Sequence, residues 1–183
     1  MKPLLLFLLT ATLAFAEVDT RITVHGSTLP ATVQGMTWFR LTNYGGPNGN
    51  PDHGVSASYR GDSIKIDIYI YDSLNADWAK LPLKEKIRRE NESIPSLFNQ
   101  RVEKGDYSDV KIKPLATVKA GNRVYDHTEM DFIDKNVGAL NSHYYLAELN
   151  GKILKIRISR AAESDPASAR AAFEEIAAAF ATK

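Results

Sequence analysis

Over residues 63–72 the chain reads SIKIDIYIYD, with Ile64, Ile66, Ile68 and Ile70 alternating strictly with Lys65, Asp67, Tyr69 and Tyr71. A period of two is that of a β-strand with one face buried and the other wetted. Four isoleucines on one side need a hydrophobic cover, so this strand is expected at the centre of an antiparallel sheet. Just before it, Val55, Ala57 and Tyr59 alternate with Ser56, Ser58 and Arg60, and Gly61-Asp62 joins the two segments as a β-hairpin. Residues 35–44, GMTWFRLTNY, are rich in aromatic and β-branched side chains and read as another strand, with a shorter strand over 20–25.

After Asp72 the period changes. Leu83, Ile87, Ile94, Leu97 or Phe98, and Val102 recur at helical spacing with charges between them, which predicts an amphipathic helix over roughly 82–104. Pro95 either bends this helix or splits it, since Ser93-Ile94-Pro95 is also a fresh N-cap with proline in the first turn. Strands follow over 109–119, 122–133, 142–149 and 152–160, paired across Ala120-Gly121-Asn122 and across Asn150-Gly151. The Asn-Gly dipeptide tolerates the positive φ angles of a type I′ turn. In 152–160 Leu154, Ile156 and Ile158 share one side. The chain closes on DPASARAAFEEIAAAFA, where Asp165 caps, Pro166 opens a helix, and Phe173, Ile176, Ala177 and Phe180 form an apolar stripe. The expected fold class is α+β: an antiparallel sheet, a long helix after the central hairpin, bent or split at Pro95, and a C-terminal amphipathic helix.

The N-terminus changes the picture of where the chain works. One positive charge at Lys2, an apolar run from Leu4 to Leu9 and the small-x-small triplet Ala14-Phe15-Ala16 form a secretory signal peptide. Residues 1–16 are therefore expected to be removed after Ala16, leaving 17–183 as one domain in the periplasm or medium. No later apolar run reaches the roughly 20 residues of a spanning helix, so no membrane span is expected after cleavage. Removing Lys2 from 23 basic residues leaves 22 against 22 acidic ones. A neutral domain lacks the basic surface that wraps nucleic acid. The absence of cysteine excludes disulfides and a lipid on a cysteine at the cleavage point. The run from Lys84 to Arg89 reads as a solvated helix face rather than a basic patch.

Candidate chemistry is sparse. There is no Gly-x-Ser-x-Gly, no His-Glu-x-x-His and no cysteine nucleophile. Residues 43–54 are too rich in Gly, Pro and Asn for regular structure and long for a hairpin, which makes them a candidate functional loop. Asn48, Asn50 and Asp52 imitate the start of a calcium loop, but one carboxylate and no following bidentate glutamate do not make one. His127, Glu129 and Asp131 alternate along 123–133 and fall on one side of that strand. They are candidate metal ligands or an acid/base set, with His143 as a further member, but successive same-face positions are about 7 Å apart, far for a common ion. Taking each strand's polar side as one common face of mixed charge collects Lys65, Asp67, Tyr69, Tyr71, Lys111, Lys113, Tyr125, His127, Glu129, Lys155 and Arg157. Tyrosine with lysine and arginine is a binding composition, and Arg157 suits a carboxylate or phosphate.

The succession of a KIDIYIYD strand, a helix, hairpins ending in KILKIRIS and an amphipathic terminal helix resembles the PsbP-like α/β/α sandwich group, which includes exported bacterial proteins of unknown function. The resemblance spans most of the chain after the leader and implies an accessory or binding role without a shared catalytic set. It transfers no functional residue. The expected function is an exported, non-catalytic binding or accessory domain for a protein or small-molecule partner, with no cofactor, no metal and no catalytic residue. Tyr69, Tyr71, Tyr125, His127, Lys155 and Arg157 are its candidate binding set. The alternative is a small metal-dependent or acid/base hydrolase using His127, Glu129 and Asp131.

Overall fold

The computed structural model describes residues 22–24, 26–44, 46, 53–72 and 76–181. The leader over 1–16 and Asn48, Asn50 and Asp52 of the loop lie outside these described residues. Strands β1 (Ile22–Val24) and β2 (Ser27–Leu29) form a small ribbon. The main sheet is built from β3 (Thr32–Val33), β4 (Met36–Asn43), β5 (Val55–Arg60), β6 (Ile64–Tyr71), β7 (Tyr107–Ile112), β8 (Ala116–Ala120), β9 (Arg123–Asp134), β10 (Gly138–Leu149) and β11 (Lys152–Ala161). Helix α1 (Leu83–Glu103) joins β6 to β7, and α2 (Pro166–Ala179) follows β11. Across the sheet the order is β3-β4-β5-β6-β11-β10-β9-β7, with β8 also on β9, and every pairing is antiparallel. The isoleucine strand β6 is central, as its pattern predicts.

The two helices lie on opposite sides of the sheet. Against α2 pack Ile66, Ile68 and Ile70 of β6 and Leu154, Ile156 and Ile158 of β11, meeting Ala169, Ala172, Phe173 and Ile176. Asp165 begins α2 by accepting the Ala167 amide at 2.9 Å. On the other side, Ile94 and Phe98 of α1 pack against Met130, Phe132, Tyr144, Leu146 and Ile153. The expectation of one wetted sheet face is thus overturned. Tyr71, on the polar side of β6, is 2% exposed beneath α1.

Local chemistry accounts for the details of the elements. The segment 109–119 is two strands, both hydrogen-bonded to β9, because Pro114 has no amide to offer a ladder. Helix α1 runs without interruption through Pro95, with the Ser93 hydroxyl donating to the Glu90 carbonyl at 2.8 Å one turn before it. The hairpin at Asn150-Gly151 holds, with φ of 49° and 78°.

The buried stripe of α1 differs from the predicted one. Leu97 and Val102 are 52% and 42% exposed, whereas Lys86 and Glu90 are buried with Ile94 and Phe98. Lys86 belongs to the run expected on a solvated face; its Nζ instead donates to Asp72 Oδ1 at 2.6 Å. Lys155 Nζ of β11 donates to Glu90 Oε1 at 2.6 Å, with side chains only 14% and 8% exposed. The docking surface of α1 is polar at its N-terminal half and aromatic at its C-terminal half.

Two stability predictions follow from this packing. Ile68→Ala should cost about 2–5 kcal/mol in urea denaturation, the range for emptying a fully buried aliphatic site; a loss of a few tenths would contradict the burial. Glu90→Ala should cost about 3–5 kcal/mol because it strands a buried ammonium, while Glu90→Leu combined with Lys155→Met should recover most of that loss.

Candidate functional site

Directly opposed residues of antiparallel strands share a face of the sheet. Ile68 pairs with Ile156, Ile156 with Tyr145, and Tyr145 with His127. His127 is therefore on the isoleucine side, toward α2. Tyr69 pairs with Lys155 and Asp67 with Arg157, which puts those four toward α1. The single polar face expected from the sequence does not exist: Tyr69, Tyr71, Lys155 and Arg157 are on one side, Tyr125 and His127 on the other. Alternation within β9 separates its residues correctly into two sets. Both sets are partly apolar, however, so the phase of β9 relative to β6 is fixed only by register.

On the α1 side, Tyr69, Tyr71 and Lys155 are internal partners. Lys155 Nζ stands 5.4 Å from the Tyr69 ring centre and 5.5 Å from that of Tyr71 while bonding Glu90. Burial, with the nearby Glu90 carboxylate, pushes the Tyr71 hydroxyl well above its ordinary pKa. Arg157 is placed differently. Its guanidinium stacks over Tyr144 at 5.4 Å, and Nε donates to Ser159 Oγ at 3.1 Å. Among the described residues no carboxylate approaches it within 4 Å. The neighbouring Asp67 is occupied by Lys65 at 2.9 Å and Ser58 at 2.7 Å. Arg157 lines two adjoining cavities. One, of about 310 Å³, is shared with the last turns of α1 and with Tyr107 and Tyr144. The other, of about 450 Å³, is shared with Phe39, Lys65, Asp67 and Asp134.

On the α2 side, Tyr125 is fully buried and meets Phe173 edge to face at 5.0 Å, a core role. Beyond the edge of α2 a polar corner remains. His127 Nε2 and His143 Nδ1 are 3.1 Å apart, and His127 stacks on Tyr145, which stacks on Phe173 at 3.8 Å. Glu129 accepts from Lys113 Nζ at 2.7 Å, and Asn141 Nδ2 bridges Glu129 at 2.9 Å and Asp131 at 2.8 Å. The four sequence-nominated residues do converge here, but both carboxylates are already engaged by Asn141. Among the described residues no three His, Cys, Asp or Glu side chains are grouped to hold a metal ion. The arrangement suits sharing a proton between two imidazoles.

Sequence reasoning missed Tyr107, Tyr144, Arg101 and Lys104, which complete the surroundings of Arg157, and Asn141, which ties the acids together. For Tyr144 a signal existed. The run HYYLAEL is nearly continuous in apolar and aromatic residues rather than alternating, the mark of a strand covered on both faces.

The histidine pair generates a pH prediction. Burial lowers both histidines, and the His143 imidazole comes down to about 4 from an ordinary 6.5. Below pH 6.5 the unfolded chain therefore binds protons that the folded chain refuses, so stability is full above that pH and falls from there towards pH 4. Glu129 is raised by burial, but its bonds from Lys113 and Asn141 bring it net below the ordinary 4.5, so its own loss comes lower still. Melting temperature should drop between pH 6.5 and 4.5, by about 2–4 °C for each kcal/mol lost. His143→Gln should flatten that drop; an unchanged slope would contradict the assignment.

No protein-family model matches this sequence, and no curated protein matches it. Among solved structures, the chain is similar to cyanobacterial PsbP (CyanoP) from Synechocystis sp. PCC 6803, determined in solution, at 15% identity, covering 80% of this chain and 82% of that one with a TM-score of 0.50. A crystal structure of a protein of unknown function from Pseudomonas aeruginosa matches at 12% identity over 90% of this chain and 94% of that one, with a TM-score of 0.32. The antiparallel sheet clasped between α1 and α2 is a PsbP-like α/β/α sandwich.

Proposed function

We propose that this chain is an exported, non-catalytic binding or accessory domain, made of residues 17–183 after cleavage behind Ala16, whose ligand is received beside Arg157. The observation that carries the reading is the electrostatics of the α1 side. Lys65, Lys86 and Lys155 each meet a carboxylate there, at 2.9, 2.6 and 2.6 Å. Arg157 meets none among the described residues, yet it is held rigid on Tyr144 and faces two cavities. A partly buried guanidinium with no direct carboxylate partner, its neighbour Asp67 being taken by Lys65 and Ser58, is costly to fold around. Sites of recognition are where such costs are retained. The signal-like N-terminus supports export. The PsbP-like fold is compatible with an accessory role, though fold alone does not supply function.

A second reading, acid/base or metal chemistry, is favoured by the convergence of His127 and His143 beside Glu129. It is tested by melting the purified protein with zinc, manganese or calcium. A stabilisation that His143→Gln removes would establish it, because binding to the folded state raises stability in proportion to ligand over Kd. Unchanged melting with all three ions would eliminate its metal-dependent form.

For the principal reading, the intact mass of protein secreted by a bacterial host should correspond to a start at Glu17. Immobilised protein exposed to periplasmic extract should retain a specific molecule that folded Arg157→Ala does not. Retention of residues 1–16 in a membrane fraction would sink the export claim. Equal retention by both proteins, or none by either, would sink the role of Arg157.

A further inference from the structure

We infer that the cavity between the C-terminal turns of α1 and the sheet binds a small carboxylate or phosphate monoester carrying an apolar body, with the acid on Arg157. This deepens the binding reading above and rests on it. The cavity, half open to solvent, measures about 310 Å³, and its charged lining is Arg101, Lys104 and Arg157, with no acidic residue among its walls. Elsewhere on this face the buried lysines Lys86 and Lys155 each have a carboxylate. Here Asp106 accepts from Arg101 at 3.0 Å and is shared with Lys135, while Asp67, across from Arg157, is taken by Lys65 and Ser58. Among the described residues Lys104 and Arg157 have no carboxylate within 4 Å. Lys104 and Arg157, lining one half-open space beside Arg101, repel one another less once an anion enters it.

The geometry specifies how the anion would sit. Stacking on Tyr144 and the Nε bond to Ser159 fix the plane of the Arg157 guanidinium. That leaves its terminal nitrogens between the Tyr107 hydroxyl and the cavity, where they can meet two oxygens of one acid, a pairing that lysine cannot reproduce. Tyr107 and Gln100 line the same space and offer neutral hydrogen bonds. The rest of the wall is apolar. Leu97, 52% exposed, stands at the cavity with the buried Phe98. The volume is at the low end for ligand sites, of order 300–1,000 Å³, which fits one ring or a short chain bearing an acid.

The test is a titration of the purified full chain with benzoate and phenyl phosphate, beside benzyl alcohol as the uncharged ring, followed by calorimetry and by NMR signals of Phe98, Tyr107 and Tyr144. At least one acid should shift those signals saturably and bind roughly tenfold or more tightly than benzyl alcohol, since hydrogen bonds to charged groups carry that much discrimination. Arg157→Gln should lose about tenfold or more. Because Arg157 packs on Tyr144, that variant can fail to fold. The exposed pair Arg101→Gln with Lys104→Gln carries no such risk and should weaken the acid severalfold without moving the melting temperature. Equal affinity for benzyl alcohol, or unchanged affinity in either folded variant, would overturn the inference. Silence of these residues toward both acids would also overturn it. The binding reading itself stands or falls separately, on the capture experiment with Arg157→Ala.

Discussion

The Glu90–Lys155 pair constrains the rest of the α1 side. Two long side chains, almost wholly removed from water and 2.6 Å apart, tolerate little sliding of the helix over the sheet, because any shift leaves one charge buried and alone. Lys86 on Asp72 and Asn91 on Asp126, the latter at 2.9 Å, repeat the constraint on either side. Polar contacts thus set the register of α1, and aromatic contacts fill in behind them. Phe98 sits edge-on to Phe132 at 5.0 Å and to Tyr144 at 6.2 Å. With the helix pinned there, its last turns overhang the sheet above Arg157 without closing on it, and the cavity is what remains.

The α2 side is organised by the opposite principle. Its contacts are mostly isoleucine, leucine, alanine and phenylalanine, which are non-directional and tolerant of small displacements. Specificity appears only at the margin, where Phe173, Tyr145, His127 and His143 form a continuous stack from the core to the polar corner. The sheet is wider than the helix that covers it, and the uncovered strip is where titratable groups collect. The two sides therefore offer different chemistry: a cationic cavity under a pinned helix, and a neutral histidine pair beside an apolar one.

Much of the architecture was legible from local pattern. Strict alternation located β6 and its centrality, because four isoleucines on one side can be satisfied only under a hydrophobic layer. Asn150-Gly151 fixed the β10–β11 hairpin, since both residues tolerate the left-handed backbone that the turn requires. Asp165 and Pro166 marked the start of α2 to the residue. The extent of α1 was also clear. Its buried stripe was not, because apolar spacing nominates Leu97 and Val102 and discounts charged positions. Lys86 and Glu90 become good core residues only once Asp72 and Lys155 stand opposite them.

The site was legible in part. Arg157 was visible as a binding residue type on the polar side of its strand, and His127, Glu129 and Asp131 as a co-facial set. That Arg157 and His127 are on opposite sides of the sheet was not visible. Alternation along one strand states which residues share a side, never which side of the assembled sheet that is. Where both sides of a strand carry apolar residues, as in β9 with Tyr125 on one and Met130 and Phe132 on the other, hydrophobicity cannot choose the phase. The sequence by itself determined the elements, their order and their amphipathic periods, because those depend on neighbours within a few residues. Only the tertiary structure decided the faces, the buried ion pairs and the cavity at Arg157, because each depends on inter-strand register, in which a slip of one residue turns every side chain of a strand to the other side.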